Sequence, residues 1–163
     1  MKRNVILIVV FFLLIIFVLF FIMINKSNND LESSGNENTL ERENMIEFQN
    51  NISMVVNGNN YSITLENNSS AKKLYSLLPL EITMNELNNN EKYYYFEDLF
   101  PTFETKINNI EIGDILLYGN NCLVLFYESF STEYSYTRIG KVDNPDNLKD
   151  VLGNGSVLIT FTK

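Results

Sequence analysis

The stretch Ile110–Val142, IEIGDILLYGNNCLVLFYESFSTEYSYTRIGKV, decides the fold. Asp114–Tyr118 and Cys122–Glu128 are apolar runs joined by Gly119-Asn120-Asn121, which predicts a hairpin. Ile115, Leu116, Leu117, Leu123, Val124, Leu125 and Phe126 leave little room for a solvated face, so both strands are expected to be central. An aromatic and hydroxyl-rich excursion follows, and a third strand opens at Thr137-Arg138-Ile139-Gly140.

Outward from this stretch the same alternation recurs. Ser53–Val56 and Tyr61–Leu65 flank Asn57-Gly58, a pair that accepts the positive φ of a tight hairpin. Ser69 is the expected N-cap of a short helix with Ala71, Leu74, Leu77 and Leu78 at helical spacing, ended by Pro79. Leu80–Leu87 alternates Ile82, Met84 and Glu86 against Glu81, Thr83, Asn85 and Leu87. Lys92–Phe96 (KYYYF) reads as a further strand, and Asp98–Asn109 as a long irregular connection. Asn144-Pro145-Asp146 supplies an N-cap, a Pro at the first helical position and an early carboxylate. Leu148, Val151 and Leu152 form that helix's buried stripe, Gly153 ends it, and Val157–Thr162 is the last strand. About eight or nine short strands with two short helices must manage their edges, and a closed barrel does so most completely. A two-sheet sandwich is the runner-up.

Three segments follow. Val5–Ile24 is a twenty-residue run without a charge, Gly or Pro, long enough to span a bilayer as a helix. Lys2 and Arg3 before it place the N-terminus in the cytoplasm and the remainder outside. Residues 1–26 are therefore read as an uncleaved membrane anchor, because the run is long for a signal peptide and ends without an A-x-A-like site; a cleaved signal peptide is the alternative. Residues 27–50 are polar and read as a disordered tether. Residues 51–163 form the folded, mainly β domain.

Beyond Lys26 the chain carries nine Lys+Arg against twenty Asp+Glu, so nucleic acid, which demands a basic footprint, is not an expected partner. The absence of His excludes His-based catalysis and His-ligated metals. Cys122, the single cysteine, lies in an apolar pattern and reads as a small buried hydrophobe. No cofactor or metal is implied.

A family likeness rests on specific blocks: Asn57-Gly58 followed by Tyr61, Leu77–Met84, Asn90–Tyr93, Gly113-Asp114-Ile115, Leu117-Tyr118-Gly119, and above all Leu123–Val142. Over residues 52–163 the chain resembles small bacterial cyclophilin-like domains, some of which are joined to flavodoxin-like domains. The resemblance implies a closed barrel of about eight strands with two helices. It does not carry prolyl isomerase activity: the chain lacks His and Trp, and no segment matches the one that bears the catalytic Arg in active cyclophilins. A flavodoxin-like partner is implied only through those fusions.

The candidate ligand-binding residues are Tyr127, Glu128, Tyr134, Tyr136 and Arg138, with Tyr94. On an extended strand Tyr134, Tyr136 and Arg138 share a face, where rings beside a guanidinium suit a planar or anionic ligand. The competing arrangement pairs Glu128 with Arg138 and makes the tyrosines barrel wall. Tyr93, Tyr94 and Tyr95 read as core on one face and snorkelling phenols on the other. Glu81, Glu86, Glu91, Glu97 and Asp98 match no Ca²⁺ loop and read as a solvated acidic rim. The expected function is a non-catalytic module binding a small ligand or extended peptide, with a divergent cell-surface prolyl isomerase using Arg138 as the alternative.

Overall fold

Asn57 and Gly58 both take positive φ, 48° and 77°, and so turn strand β1 (Asn51–Val56) into β2 (Asn59–Leu65) in two residues. This is a computed structural model, and it describes residues 48–163. The expected anchor at 5–24 and nearly all of the tether lie outside those residues. Among the described residues no helix is long and apolar enough to cross a membrane.

Six more strands complete the barrel: β3 (Leu80–Leu87), β4 (Glu91–Tyr95), β7 (Asp114–Tyr118), β8 (Cys122–Phe126), β10 (Ser135–Val142) and β11 (Val157–Thr162). Their order is β2-β1-β11-β3-β4-β8-β7-β10, every neighbouring pair is antiparallel, and β10 pairs back onto β2. The sheet is thus a closed eight-stranded barrel, as the strand count and the family likeness predict, and not a sandwich. The seam is tight: a Cβ on Gly140 would lie 2.7 Å from the Thr64 carbonyl oxygen, beside a register shift in β10. Asp143 reinforces it by accepting hydrogen bonds from Ser62 and Thr64, both at 2.6 Å.

Two helices add to the core. Helix α1 (Ser69–Ser76) contributes Ala71, Leu74 and Tyr75; its N-cap is Asn68, whose side chain accepts from the Ala71 N–H at 2.9 Å, one residue earlier than the expected Ser69. Helix α2 (Leu148–Leu152) contributes Leu148 and Leu152, and Gly153 ends it at φ 64°. It starts later than Asn144-Pro145-Asp146 suggests. Those residues lead into a turn closed by Leu148 N–H to the Pro145 carbonyl, and Asn147 takes the N-cap position in a left-handed conformation without a side-chain cap bond.

Both faces of the β7–β8 hairpin are buried, as their composition demands, but by different partners. Ile115, Leu117, Leu123 and Leu125 belong to the barrel core. Leu116, Cys122, Val124 and Phe126 join a second cluster with Ile107, Ile110 and Tyr136. Residues 99–112 and 127–134, which carry the two-residue strands β5 (Thr105–Lys106), β6 (Asn109–Ile110) and β9 (Phe130–Ser131), supply its cover; β6 pairs with β9 and β5 with β10. The stretch 98–109 is largely irregular, as expected, apart from these short pairings.

Among the described residues one charged side chain, Lys92, is fully buried. Lys92 faces Glu86 across the β3–β4 ladder, and its ammonium donates to Glu86 Oε2 (2.5 Å) and to the carbonyls of Gly153 (2.8 Å) and Gly155 (2.7 Å). The Tyr127 ring stands 5.5 Å away, and its hydroxyl donates to Glu86 Oε1 at 2.6 Å. Every N–H of the ammonium is used, which is how a buried lysine is tolerated. Glu86 therefore does not belong to a solvated rim. Burial alone would raise its carboxyl pKa, but the hydrogen bonds from Lys92 and Tyr127 overcome that and hold it below the usual range. Replacing Lys92 by Met keeps the volume and strands Glu86 with two carbonyls. It is expected to cost about 3–5 kcal/mol, read as a lower urea midpoint, with part of the loss recovered in the double variant Lys92→Met, Glu86→Gln.

Candidate functional site

The wall between the two clusters carries a cleft on its outer side. Alternation along β4 turns Lys92 inward and sends Glu91, Tyr93 and Tyr95 outward. The ladders then set outward residues side by side: Tyr95 faces Cys122, Cys122 faces Tyr118, and Tyr136 lies beside Tyr118 on β10. One step along, Tyr93 faces Val124. Rings thus flank two short side chains, Cys122 and Val124, and the shortfall in height is the cleft. It measures about 440 Å³ and is lined further by Phe130, Tyr134, Glu91, Asn90, Asn88 and Leu87.

The rings brace one another. Tyr93 and Tyr95 meet edge to face at 5.7 Å, Tyr118 and Tyr134 at 5.9 Å, and Tyr118 and Tyr136 lie tilted at 5.6 Å. Tyr136 rests edge-on against Phe126 at 5.8 Å, which ties the cleft to the second cluster. Of nine exposed large apolar residues among those described, four (Leu87, Tyr95, Tyr118 and Tyr134) line this one depression. Such gathering marks a contact surface. The concavities at Phe48–Asn51 and at Asn109–Ser131 are more open and have no comparable aromatic wall.

Of the six residues singled out from sequence, two meet in the cleft and four do not. Tyr134, 61% exposed, and Tyr136, 5% exposed, both line the cleft. Tyr94 faces the barrel core and packs edge-on against Phe96 at 5.0 Å; its neighbours Tyr93 and Tyr95 line the cleft instead. Tyr127 is core, hydrogen-bonded to Glu86. Glu128 pairs with Lys149 and not with Arg138. Arg138 is exposed opposite Leu116, its backbone carbonyl accepts from the Asn68 side chain at 2.8 Å, and it is not among the lining residues. Sequence reasoning missed Tyr118, Cys122 and Glu91 as site residues. The parity of β4 relative to Lys92 points to Glu91, whereas Tyr118 and Cys122 enter only through the pairing of β4, β8 and β7.

Residues 54–162 match the cyclophilin-like family. The chain belongs to that family. No curated protein sequence matches the chain. Among solved structures, a hypothetical protein from Archaeoglobus fulgidus, determined in solution, is similar at 16% identity with a TM-score of 0.50, covering 72% of this chain and 98% of that one. At that identity the likeness speaks for the fold alone. The family likeness read from Asn57-Gly58 through Leu123–Val142 thus holds.

In this cyclophilin-like barrel the cleft's electrostatics centre on Glu91. Burial, and then the negative charge of Glu86, push its carboxyl up to about 7. Burial likewise raises the Cys122 thiol, which keeps it in the unreactive neutral form. Tyr136 is raised to about 12 by burial and by Glu91. Because Glu91 binds its proton more tightly folded than unfolded, its stabilising contribution is complete below about pH 4.5 and is lost as pH rises through 7. Glu91→Gln is expected to remove this loss, making the variant more stable than the parent above pH 7 by roughly 1–2 kcal/mol, once the carboxyl's half-open position is allowed for. Thermal melts of both proteins across that range measure it.

Proposed function

We propose that the chain is a membrane-tethered, extracytoplasmic cyclophilin-like binding module that takes a small ligand in the tyrosine-lined cleft. The observation carrying the binding role is the depression over Cys122 and Val124, walled by Tyr93, Tyr95, Tyr118, Tyr134 and Tyr136. Its volume falls in the range of about 300–1,000 Å³ typical of small-molecule sites, and its lining is chiefly aromatic with a few polar groups. Rigid rings already held edge to face lose little entropy when a planar or apolar body stacks on them.

What supports the tether is the apolar run Val5–Ile24 with Lys2 and Arg3 before it. The test is fractionation of cells producing the full chain. The protein is expected in the membrane pellet, degraded by protease added to cells whose outer surface is exposed; recovery in the soluble cytoplasmic fraction rejects the tether.

Binding is tested by nuclear magnetic resonance titration of residues 48–163 with a library of aromatic fragments. Fragments are expected to shift the amides of Tyr93, Tyr95, Tyr118 and Cys122 together. Tyr118→Ala should weaken the best of them roughly five- to tenfold, since one ring contact is worth about 1 kcal/mol. Shifts scattered over the barrel and insensitive to Tyr118→Ala reject the cleft.

A further inference from the structure

We propose that the ligand of this cleft is a small organic cation, an ammonium or guanidinium carried on a planar or apolar body, held between the tyrosine faces and Glu91. The inference rests on the reading of the cleft as a small-ligand site and adds the charge of what enters it. Three observations carry it. Glu91 lies half-buried in the lining, and no cation among the described residues pairs with it: the ion pairs there engage Glu86, Asp98, Glu111, Asp114, Glu128 and Glu133. Lys and Arg are absent from the lining altogether. Asn90, also in the lining, has a buried Oδ1 with no hydrogen-bond partner among the described residues, so a second acceptor waits for a donor.

A carboxylate withdrawn from water without a partner carries a desolvation cost, which a neutral ligand deepens and an anionic one compounds by repulsion. A cation removes it. The same cation gains from the ring faces, whose quadrupoles attract positive charge, and five tyrosines surround the space. The groups facing Glu91 do not compete for this role. Glu86, across β3–β4, is occupied by Lys92 on the core side, and Cys122, Tyr93, Tyr95, Tyr118, Tyr134 and Tyr136 bring no positive charge. The arrangement is the reverse of the arginine-centred anion site that Arg138 suggests from sequence.

Three probes with one ring and different charge test the inference: phenethylammonium, 2-phenylethanol and 3-phenylpropionate, titrated at about pH 8, where Glu91 is ionised and the amine protonated. Residues 48–163, Glu91→Gln and Tyr118→Ala are compared, each checked for an unchanged amide spectrum away from the cleft. Phenethylammonium is expected to bind roughly tenfold tighter than the alcohol, with the anion weakest. Glu91→Gln should erase that preference while leaving the alcohol's affinity in place, whereas Tyr118→Ala should weaken both. Equal binding of amine and alcohol, or a preference that survives Glu91→Gln, overturns the cation while the small-ligand reading stands. Failure of all three probes to shift the cleft amides at millimolar concentration overturns both. A lysine-containing tetrapeptide bound more tightly than phenethylammonium overturns the small-molecule occupant.

Discussion

Closure of the ladder between β2 and β10 is the constraint on which the other features depend. A sheet of short strands exposes a row of unpaired N–H and C=O groups at each edge. Here the two edges satisfy each other, and they meet only because Gly140 has no side chain to strike the Thr64 carbonyl. Once the ring is shut, each strand has one inside and one outside, and registers fix which residue is which. The core, the buried lysine and the cleft are all consequences of that partition.

The outer cluster explains why so small a barrel presents a rigid binding face. Short of Tyr118, strands β7 and β8 are buried on both faces: Leu116 and Phe126 are covered on the outer side with Ile107, Ile110 and Phe130, as Leu117 and Leu125 are in the core. Tyr136 is held by Phe126 and in turn steadies Tyr118 and its neighbour Tyr134. The exposed rings are thus supported by buried ones, and that support fixes their positions before any ligand arrives.

Much of the architecture was legible in the sequence because hairpin turns and helix ends announce themselves. Asn57-Gly58, Gly119-Asn120-Asn121 and Gly153 sit where the chain turns or stops. The caps were harder: Asn68 and Ser69 are both good capping residues, and only geometry chooses between them. The site was harder still. Tyr93-Tyr94-Tyr95 is chemically uniform, so which rings face out depends on Lys92, and a lysine turned inward is the less expected parity. Glu128 and Arg138 look like partners along the chain, but the fold delivers Lys149 to Glu128 first. The cleft itself arises from residues on four strands, β4, β8, β7 and β10, whose adjacency no local pattern encodes.

Glu86 and Glu91 sit near the same end of the β3–β4 pair, one directed to the core and the other to the cleft, and the first raises the pKa of the second. The barrel wall between them is one backbone thick, too thin to insulate the two sides electrically. The inward-facing carboxylate of Glu86 therefore helps set the potential met by anything arriving outside, with no part of the protein having to move. A substitution made purely to repack the inside at this end would retune the outer surface from behind.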